Sequence, residues 1–511
     1  MTATLPGHPA PAAAPGGRGR TRSVLVIGAG IGGLATAVRL AHAGYRVTLA
    51  EKFDHPGGRA GVWRSEGFTF DTGPSLVMMP EIWQDLFKTV GRRLEDYLTL
   101  VQVDPAYRLH FDDGSTFEMT SRLNHLIENF EAVEPGAGQQ LLRWLRESGI
   151  LYHGGVKFIR RNMHRFTSML NIGTMGPFGA RHALGDLQAF ARRYFKDQRL
   201  LQAVTFQALY LGLSPYRALG VYGLLGHAEA AGGIHYPIGG MHQLAVALAR
   251  LAAELGVDIR YQTPITRLEK TGGKVTAAIT ADGQRLTADV VVANSDLPYT
   301  YEKLLEEPLP MPSRMAPQFS CSVVLLYLGV NRTYPNLRHH TLAISESLPA
   351  SCKALFEEKR MPADPPFYVV ATTRTDPGQA PPGCENLFCL VLAPSQDPAR
   401  PIDWKVEGPK VAERTLERME AIGMPNLRQH IVTQKVITPD HFTSGFGNLR
   451  GEAFGLDHGL TQIGWFRPHN RHPKLHNLYF VGQSTHPGCG VPIVLISAEC
   501  AVERVRQDVP V

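Results

Sequence analysis

The sequence predicts an α/β fold built around a parallel β-sheet, and three features near its start support this class. An apolar run from Ser23 to Ile27 is typical of a buried strand. The glycines Gly28, Gly30 and Gly33 follow in the spacing G-x-G-x-x-G, where a helical pattern begins. A second apolar run then ends at Glu51. Together these features predict a Rossmann-like strand, turn, helix and strand.

The glycine turn predicts a dinucleotide-binding site. Its first glycine permits the turn, the second lets the backbone approach a pyrophosphate, and the third lets the helix pack close to the strand. Ile31 and Gly32 lie inside the motif, where main-chain N–H groups and the helix dipole face the phosphates. An acid at the position of Glu51 accepts hydrogen bonds from a ribose diol, and Lys52 follows it. The alternative is an ordinary Gly-rich turn in an α/β domain.

A second glycine pair indicates which dinucleotide is bound. Gly57, Gly58 and Arg59 place this pair and a cation just beyond Glu51. The pattern E-K-x-x-x-x-G-G-R resembles the FAD-binding start of the glutathione-reductase-like flavoproteins, particularly the amine oxidase and phytoene desaturase superfamily. The resemblance favours FAD over NAD.

Composition and charge exclude several classes of function. Gly and Pro number 51 and 37 of 511 residues, too few for a low-complexity sequence. The net charge of +6 comes from scattered cations, without the basic block or aromatic-basic alternation of a nucleic-acid-binding protein. The six cysteines are expected to be reduced thiols in the cytoplasm. Cys384 and Cys389 lack a second pair of ligands, so no metal site is expected and buried strand cysteines are favoured.

Two segments bear on the location of the protein. Residues 1–22 are rich in Pro, Ala, Gly and Arg and are expected to be disordered. The most hydrophobic region, Ala203 to Leu225, is interrupted by Gln207, Pro215 and Arg217. Because a membrane span needs a run of about 18 or more apolar residues, no spanning helix is expected.

The mainly helical region from about residue 123 to 230 contains a candidate membrane-facing helix. Large apolar side chains alternate there with the cations Lys157, Arg160, Arg161 and Arg165. This mixture is typical of a helix that lies at a membrane interface. A solvated basic face over an ordinary core is the alternative.

The predicted elements divide the chain into a discontinuous cofactor domain and two insertions. The FAD-binding domain is expected to comprise residues 23–80, 235–300 and 470–508. An α+β substrate-binding region, which includes the membrane-associating part, is expected to comprise residues 81–234 and 301–469.

The later parts of the cofactor domain supply further candidate FAD contacts. A buried strand within residues 288–296 ends near Asn294, and another strand ends at Gly482. A helix is predicted to begin near Val491 and Pro492, because proline fits the first helical turn. The dipole at its N-terminus would stabilise negative charge on the reduced flavin.

Five motifs carry a closer resemblance, which runs from about Ser23 to Arg506. In order, they are GGR, GFTFDTGP, GGMHQL, WFRPHN and NLYFVGQSTHPGCGVP. Their order and spacing resemble the bacterial carotenoid desaturases, the phytoene and diapophytoene desaturase family. The resemblance implies an FAD-dependent oxidoreductase that converts CH2–CH2 beside a conjugated system into CH=CH.

The same resemblance implies further site residues and partners. In the family the turn at Gly73, Pro74 and Ser75 approaches the isoalloxazine, and the backbone at Ile265 meets the adenine. A carotenoid of about 40 carbons would lose about 30 kcal/mol on entering water, at roughly 0.8 kcal/mol per methylene. The protein is therefore expected to sit peripherally on the inner face of the cell membrane. Quinone or oxygen would reoxidise the flavin.

One departure from the family pattern leaves the catalytic acid and base unassigned. Some phytoene desaturases carry an Asp and an Arg in a stretch resembling FRDMLR, whereas Phe166 to Asn171 reads FTSMLN. Either these charges are dispensable, or the substrate differs, for example a hydroxylated or partly desaturated carotenoid that is acted on at its 3,4 bond. The alternatives are a carotenoid isomerase, an amine or protoporphyrinogen oxidase of the same fold, and a flavin-free binding protein of the Rab GDP-dissociation-inhibitor type.

Overall fold

The computed structural model describes residues 21–170 and 182–511 of the chain. Most of the extension that the sequence predicts to be disordered, residues 1–20, lies outside these residues. Asn171, the last position of the FTSMLN stretch, also lies outside them.

The strands are numbered in chain order. They are β1 (Ser23–Ile27), β2 (Arg46–Ala50), β3 (Val62–Ser65), β4 (Phe68–Asp71), β5 (Leu100–Val103), β6 (Tyr107–His110), β7 (Thr116–Met119), β8 (Ile234–Pro237), β9 (Asp258–Arg260), β10 (Ile265–Thr271), β11 (Lys274–Thr280), β12 (Arg285–Leu286), β13 (Val290–Ala293), β14 (Ser322–Val330), β15 (His340–Ala343), β16 (Phe367–Val370), β17 (Glu385–Ala393), β18 (Ile431–Ile437) and β19 (Leu478–Phe480).

The α-helices are numbered in the same way. They are α1 (Ile31–His42), α2 (Pro80–Thr89), α3 (Leu123–Val133), α4 (Ala137–Ile159), α5 (Leu187–Ala191), α6 (Gln198–Thr205), α7 (Leu224–Gly232), α8 (Gln243–Glu254), α9 (Leu297–Tyr299), α10 (Leu348–Phe356), α11 (Trp404–Ala421), α12 (Pro439–Phe446) and α13 (Val491–Asp508).

A five-stranded parallel sheet has the order β19-β13-β1-β2-β9. Its strands come from widely separated parts of the chain, yet their register is regular, with Ile27 of β1 opposite Ala50 of β2 and Ala293 of β13. Since all the strands point the same way, their carboxyl ends meet at one edge. Ligands of open α/β sheets bind at such an edge. The predicted α/β class and the predicted strands β1 and β2 are confirmed.

Helices α1, α8 and α13 pack together beside this sheet. Their buried faces are aliphatic, as Leu34 and Val38 of α1, Leu248 of α8 and Ile496 of α13 show. Each such side chain stabilises the fold by about 1.5–3 kcal/mol when it is removed from water. The packing fixes the position of α13 relative to the glycine turn that precedes α1.

A seven-stranded mixed sheet has the order β18-β14-β17-β16-β15-β6-β7. Strand β14 is buried along its whole length, which explains why its sequence is apolar at nearly every position. Trp404 and Val411 of α11 lie in the core on one side of the sheet. Phe70 and Tyr327 belong to a separate aromatic cluster.

Three of the hairpins contain glycine where the chain turns. Asp113 and Gly114 lie in the turn between β6 and β7. The long hairpin of β10 and β11 turns at Gly272 and Gly273, whose φ angles of 61° and 75° favour glycine. Asp282 and Gly283 lie in the connection that joins β11 to the short antiparallel strand β12.

The predicted basic helix is shorter than the sequence suggests. Helix α4 ends at Ile159, so only Lys157 of the four cations lies on it. Arg160 Nη2 donates to Asp85 Oδ2 of α2 at 2.6 Å, and Met163 is buried. The expectation that four cations share one helical face is therefore wrong. Among the described helices, none is both long enough and apolar enough to cross a membrane.

The cysteines differ slightly from expectation. Cys389 is buried in β17, but Cys384 precedes the strand and is partly exposed, so only one of the pair is a buried strand cysteine. All six thiols are free. Within residues 21–170 and 182–511, no three His, Cys, Asp or Glu side chains are grouped as a metal site would require.

Candidate cofactor site

The glycine turn lies at the carboxyl edge of the parallel sheet, between β1 and α1. Gly28 has a φ of 98°, which favours glycine. A Cβ atom on Gly30 would lie 2.9 Å from Asn294 Nδ2, and one on Gly33 would lie 2.0 Å from the Gly28 carbonyl oxygen. Any larger side chain at these two positions would therefore displace its neighbours. This geometry is the one that a pyrophosphate-binding turn requires.

Asn294 supports the turn from the next strand. Its Nδ2 atom donates to the Gly28 carbonyl oxygen at 3.1 Å, and a Cβ atom on Gly32 would lie 2.9 Å from its Oδ1 atom. Gly482, at the end of the neighbouring chain segment, has a φ of 127°, and a Cβ atom there would lie 3.6 Å from the same Oδ1 atom. The structure thus brings both of these predicted residues to the glycine turn.

Glu51 lies at the end of β2 and is almost fully buried. Its carboxylate accepts hydrogen bonds from the main-chain N–H groups of Ala29, at 2.5 Å, and Phe53, at 2.9 Å. Its carbonyl oxygen accepts from Thr263 N at 2.7 Å, two residues before Ile265. The acid and Ile265 therefore lie on connected segments, as an adenosine site would require.

The second glycine pair faces the first. Gly57 N donates to the Ala29 carbonyl oxygen at 2.8 Å, and a Cβ atom on Gly58 would lie 3.6 Å from the Cα atom of Gly30. Two glycine segments that the sequence assigns to one cofactor are thus in direct main-chain contact. Lys52 instead donates to the carbonyl oxygen of Gly445 in α12.

Arg59 lies within a buried group of charged side chains. Its Nη1 atom donates to the Ala453 carbonyl oxygen at 3.1 Å. Burial lowers the pKa of Arg59, and the carboxyl groups of Asp296 and Glu452 oppose this change. Burial, reinforced by Asp296, raises the pKa of Glu452 to about 8. Burial also raises the pKa of Asp296, which accepts from Ser484 Oγ at 2.7 Å, while the charge of Arg59 opposes this rise.

The turn after β4 packs against Arg59. A Cβ atom on Gly73 would lie 2.1 Å from the Arg59 carbonyl oxygen, so only glycine fits there. Pro74 follows, and Ser75 Oγ lies 3.1 Å from the hydroxyl oxygen of Tyr368 in β16. The turn that the family resemblance places beside the isoalloxazine thus connects the GGR segment with the large mixed sheet.

Helix α13 begins at the same edge of the parallel sheet. It starts at Val491, with Pro492 in its first turn, as predicted. A Cβ atom on Gly32 would lie 3.6 Å from the carbonyl oxygen of Val494, so the first turn of α13 is close to the glycine motif. The dipole of α13 stabilises negative charge near its N-terminus.

Arg467 is a structurally important residue that the sequence patterns did not indicate. It is fully buried, and its guanidinium donates to five main-chain carbonyl oxygens, those of Leu456, Asp457, Gln462, Gln483 and Thr485. These bonds join residues 456–462 to the glycine-rich loop 482–490. The WFRPHN motif could have indicated that Arg467 is buried, since a cation between aromatic and proline residues is unusual in a buried segment.

Comparison with known proteins agrees with this geometry. Residues 31–506 match the family described as flavin containing amine oxidoreductase. A solved structure, an oxidoreductase from Methanosarcina mazei, superimposes with a TM-score of 0.63 at 16% identity, covering 94% of this chain and 100% of that one. The fold and the site therefore define a flavin-dependent oxidoreductase.

Two relatives narrow this class. The zeta-carotene-forming phytoene desaturase of Myxococcus xanthus is 42% identical over 487 residues, which cover 95% of this chain and 94% of that protein. The 4,4'-diapolycopene oxygenase of Methylomonas sp is 34% identical over 490 residues, covering 95% and 98%. The chain belongs to the bacterial carotenoid desaturase family of the flavin-containing amine oxidoreductases.

The cofactor is FAD, and the described residues fit it. At Gly30 and Gly33 an added Cβ atom would meet neighbouring atoms at 2.9 Å and 2.0 Å, so the main chain there carries no side chain that would keep a pyrophosphate away. Asp296 Oδ2 is buried and has no hydrogen-bond partner among the described residues, so it can accept from a ligand hydroxyl.

A first prediction concerns Arg467. In Arg467→Lys the charge remains, but a point-like ammonium cannot reach five carbonyl oxygens. Each buried carbonyl left unpaired costs about 1–3 kcal/mol. Thermal unfolding should therefore begin at a clearly lower temperature, and FAD titration should show weaker binding. Arg471→Lys is the matched control, because Arg471 pairs with Asp508 at a partly exposed site. Wild-type melting of Arg467→Lys would contradict the assigned role.

Proposed function

We propose that the protein introduces C=C bonds into an acyclic carotenoid, as phytoene-type or 3,4-desaturases do. The observation that carries this proposal is the match to a named phytoene desaturase over 95% of the chain, at 42% identity. Two residues, Leu76 and Tyr210, are suited to contact an apolar substrate. Leu76 and Tyr210 pack against both the core of the parallel sheet and the core of the helical region. We infer that residues 81–234 and 301–469 supply the substrate site beside a discontinuous FAD domain.

The residues of this chain have separate roles in the proposed reaction. We assign FAD binding to the two glycine segments, Glu51, Arg59 and the first turn of α13. FAD, when bound, accepts the hydride that the substrate loses. Apolar side chains on the substrate side hold a chain that has no polar handle and exclude water from it. Quinone or oxygen is the proposed final electron acceptor.

We also propose peripheral association with the inner face of the cell membrane. Phe166 is 49% exposed and Leu460 is 50% exposed. Phe166 packs edge-on against Trp465 at 5.4 Å between ring centroids, and the short helical turn around Leu460 contacts the one that contains Trp465. With the exposed cation Arg165, these residues form a surface of the kind that binds anionic lipid, named here the Phe166 surface. It replaces the four-cation helix expected from the sequence.

Anaerobic flavin reduction tests the reaction. Purified holoenzyme is mixed with vesicles that carry phytoene or a more desaturated acyclic carotenoid, and the absorbance of oxidised flavin is followed. The flavin should bleach without any nicotinamide, and the carotenoid spectrum should shift to longer wavelength. Vesicles without carotenoid, and a simple diamine, are the controls. Bleaching by the diamine alone, dependence on NAD(P)H, or isomerisation without loss of hydrogen would contradict the proposal.

Vesicle sedimentation tests the Phe166 surface. The double variant Phe166→Ser and Leu460→Ser should bind anionic vesicles at least about 10-fold more weakly, since each large apolar side chain contributes about 1.5–3 kcal/mol when fully buried. Val432→Ser is the matched control, because Val432 is 48% exposed on the outer strand β18. Equal binding of the double variant and the control would show that the bilayer meets another surface.

A further inference from the structure

Glu229 of α7 is a buried carboxyl group in an unusual environment. The residue is 3% exposed. Its Oε2 atom accepts hydrogen bonds from the hydroxyl of Tyr107 in β6 and from Gln207 Nε2, the latter at 2.9 Å. The Tyr210 hydroxyl also lies against the carboxyl group. Gln207 and Tyr210 belong to one helical turn, Phe206–Leu211, so two elements supply neutral donors to one acid.

Asp71 resembles Glu229, since it accepts from the Tyr236 hydroxyl at 3.2 Å and burial raises its pKa to about 6, but several other buried carboxyl groups in the described chain have different partners. Glu51 accepts from two main-chain N–H groups, Glu385 pairs with Arg374, and Asp296 faces Arg59. The groups that influence the charge of Glu229 are instead tyrosine hydroxyls and a glutamine amide, which are all neutral. Glu229 is therefore held by hydrogen bonds rather than by an ion pair.

This environment sets the protonation of Glu229. Burial raises the pKa of Glu229 to about 7, although the hydrogen bonds from Tyr107 and Gln207 and the nearby Tyr210 hydroxyl oppose this change. Burial, and after it the charge of Glu229, raises the pKa of the Tyr368 hydroxyl of β16. A buried acid without a cation costs free energy, and such acids are characteristic of functional sites. With a pKa near the working pH, the group can both take up and release a proton.

The cluster is connected to both segments that are assigned to the flavin. The helical turn that carries Gln207 ends at Leu211, whose carbonyl oxygen lies 3.9 Å from Cys489 Sγ in the loop before α13. On the other side, the Tyr368 hydroxyl lies 3.1 Å from Ser75 Oγ. Glu229 therefore lies in the region between the Gly73–Ser75 turn and the glycine-rich loop. Leu76 and Tyr210, in the same region, are the apolar contacts proposed above for the substrate.

We propose that Glu229 is the proton acceptor of the desaturation, an inference that rests on the proposed function. One allylic carbon of the substrate gives a hydride to the flavin. The neighbouring carbon gives a proton to the Glu229 carboxylate, and the electron pair of that C–H bond becomes the new π bond. FAD, when bound, would supply the hydride acceptor, and quinone or oxygen would take up the two electrons. Glu229 releases its proton before the next turnover.

The test compares four holoenzyme variants with the wild type in anaerobic flavin reduction by carotenoid vesicles. Glu229→Gln keeps the size and hydrogen bonding of the side chain but cannot accept the proton, so the reduction rate should fall at least about 100-fold. FAD titration should be unchanged. Glu254→Gln is the matched control, because Glu254 also accepts from a tyrosine hydroxyl, that of Tyr97, on the exposed end of α8. It should behave as wild type.

Two readouts separate a chemical role from a structural one. In the wild-type enzyme, the rate of flavin reduction should rise as the pH increases through about 7. The infrared band of the Glu229 carboxyl group should titrate over the same pH range, and this band should be absent from Glu229→Gln. Tyr107→Phe removes a bond that lowers the pKa of Glu229, so it should move the rate profile to higher pH. Tyr107→Phe retains Glu229 and provides this test even if Glu229→Gln does not fold.

Several outcomes would overturn the inference. A folded Glu229→Gln enzyme with the wild-type rate and pH profile would do so, as would an unmoved profile in Tyr107→Phe. A large loss in His340→Gln with normal Glu229→Gln would assign the proton to the histidine that contacts Tyr368 instead. If wild-type flavin is not reduced by any carotenoid, the proposed function fails, and the infrared titration still reports whether Glu229 holds a proton near neutral pH.

Discussion

The close approach of Asn294 to the glycine turn is the contact on which the cofactor site depends. It follows from the parallel pairing of β1 with β13, which places Ala293 opposite Ile27 and Asn294 one residue further on. The Asn294 main-chain N–H donates to the Ile27 carbonyl oxygen at 2.8 Å, and its side chain then reaches Gly28. Because the asparagine fills the space beside Gly30, the glycines there serve protein packing as well as the phosphate binding proposed for them.

Around this contact the chain contains two kinds of buried charge. Arg467 is satisfied by five carbonyl oxygens, and so it holds the glycine-rich loop in place without any need to titrate. Among the residues that the structure describes, the donors to Glu229 are neutral, and its charge state can change near neutral pH. Removal of a hydride and a proton would require two features. One is a rigid loop that leads into α13, and the other is a titratable acid across the proposed substrate region.

The sequence predicted those features of the fold and site whose interactions join residues close together in the chain. The glycine turn, Glu51 and the start of α13 at Val491 were predictable because each is encoded within a few neighbouring residues. Arg467 and Glu229 were not, because their partners lie on separate elements brought together only by the fold. The end of α4 was also missed, since the ion pair between Arg160 and Asp85 joins residues that are distant in sequence. Whether each predicted site residue touches FAD stays a prediction.

FAD affinity of Gly30→Ala tests the central claim most directly. The added methyl group would meet Asn294 Nδ2 at 2.9 Å and would stand where the pyrophosphate approaches, so the dissociation constant measured by FAD titration should rise at least about 10-fold, or about 1.4 kcal/mol. Gly232→Ala is the matched control, since a Cβ atom there meets nothing within 4 Å, and it should bind FAD as wild type does. Equal, wild-type affinities in both variants would contradict the assignment of the glycine turn to the cofactor.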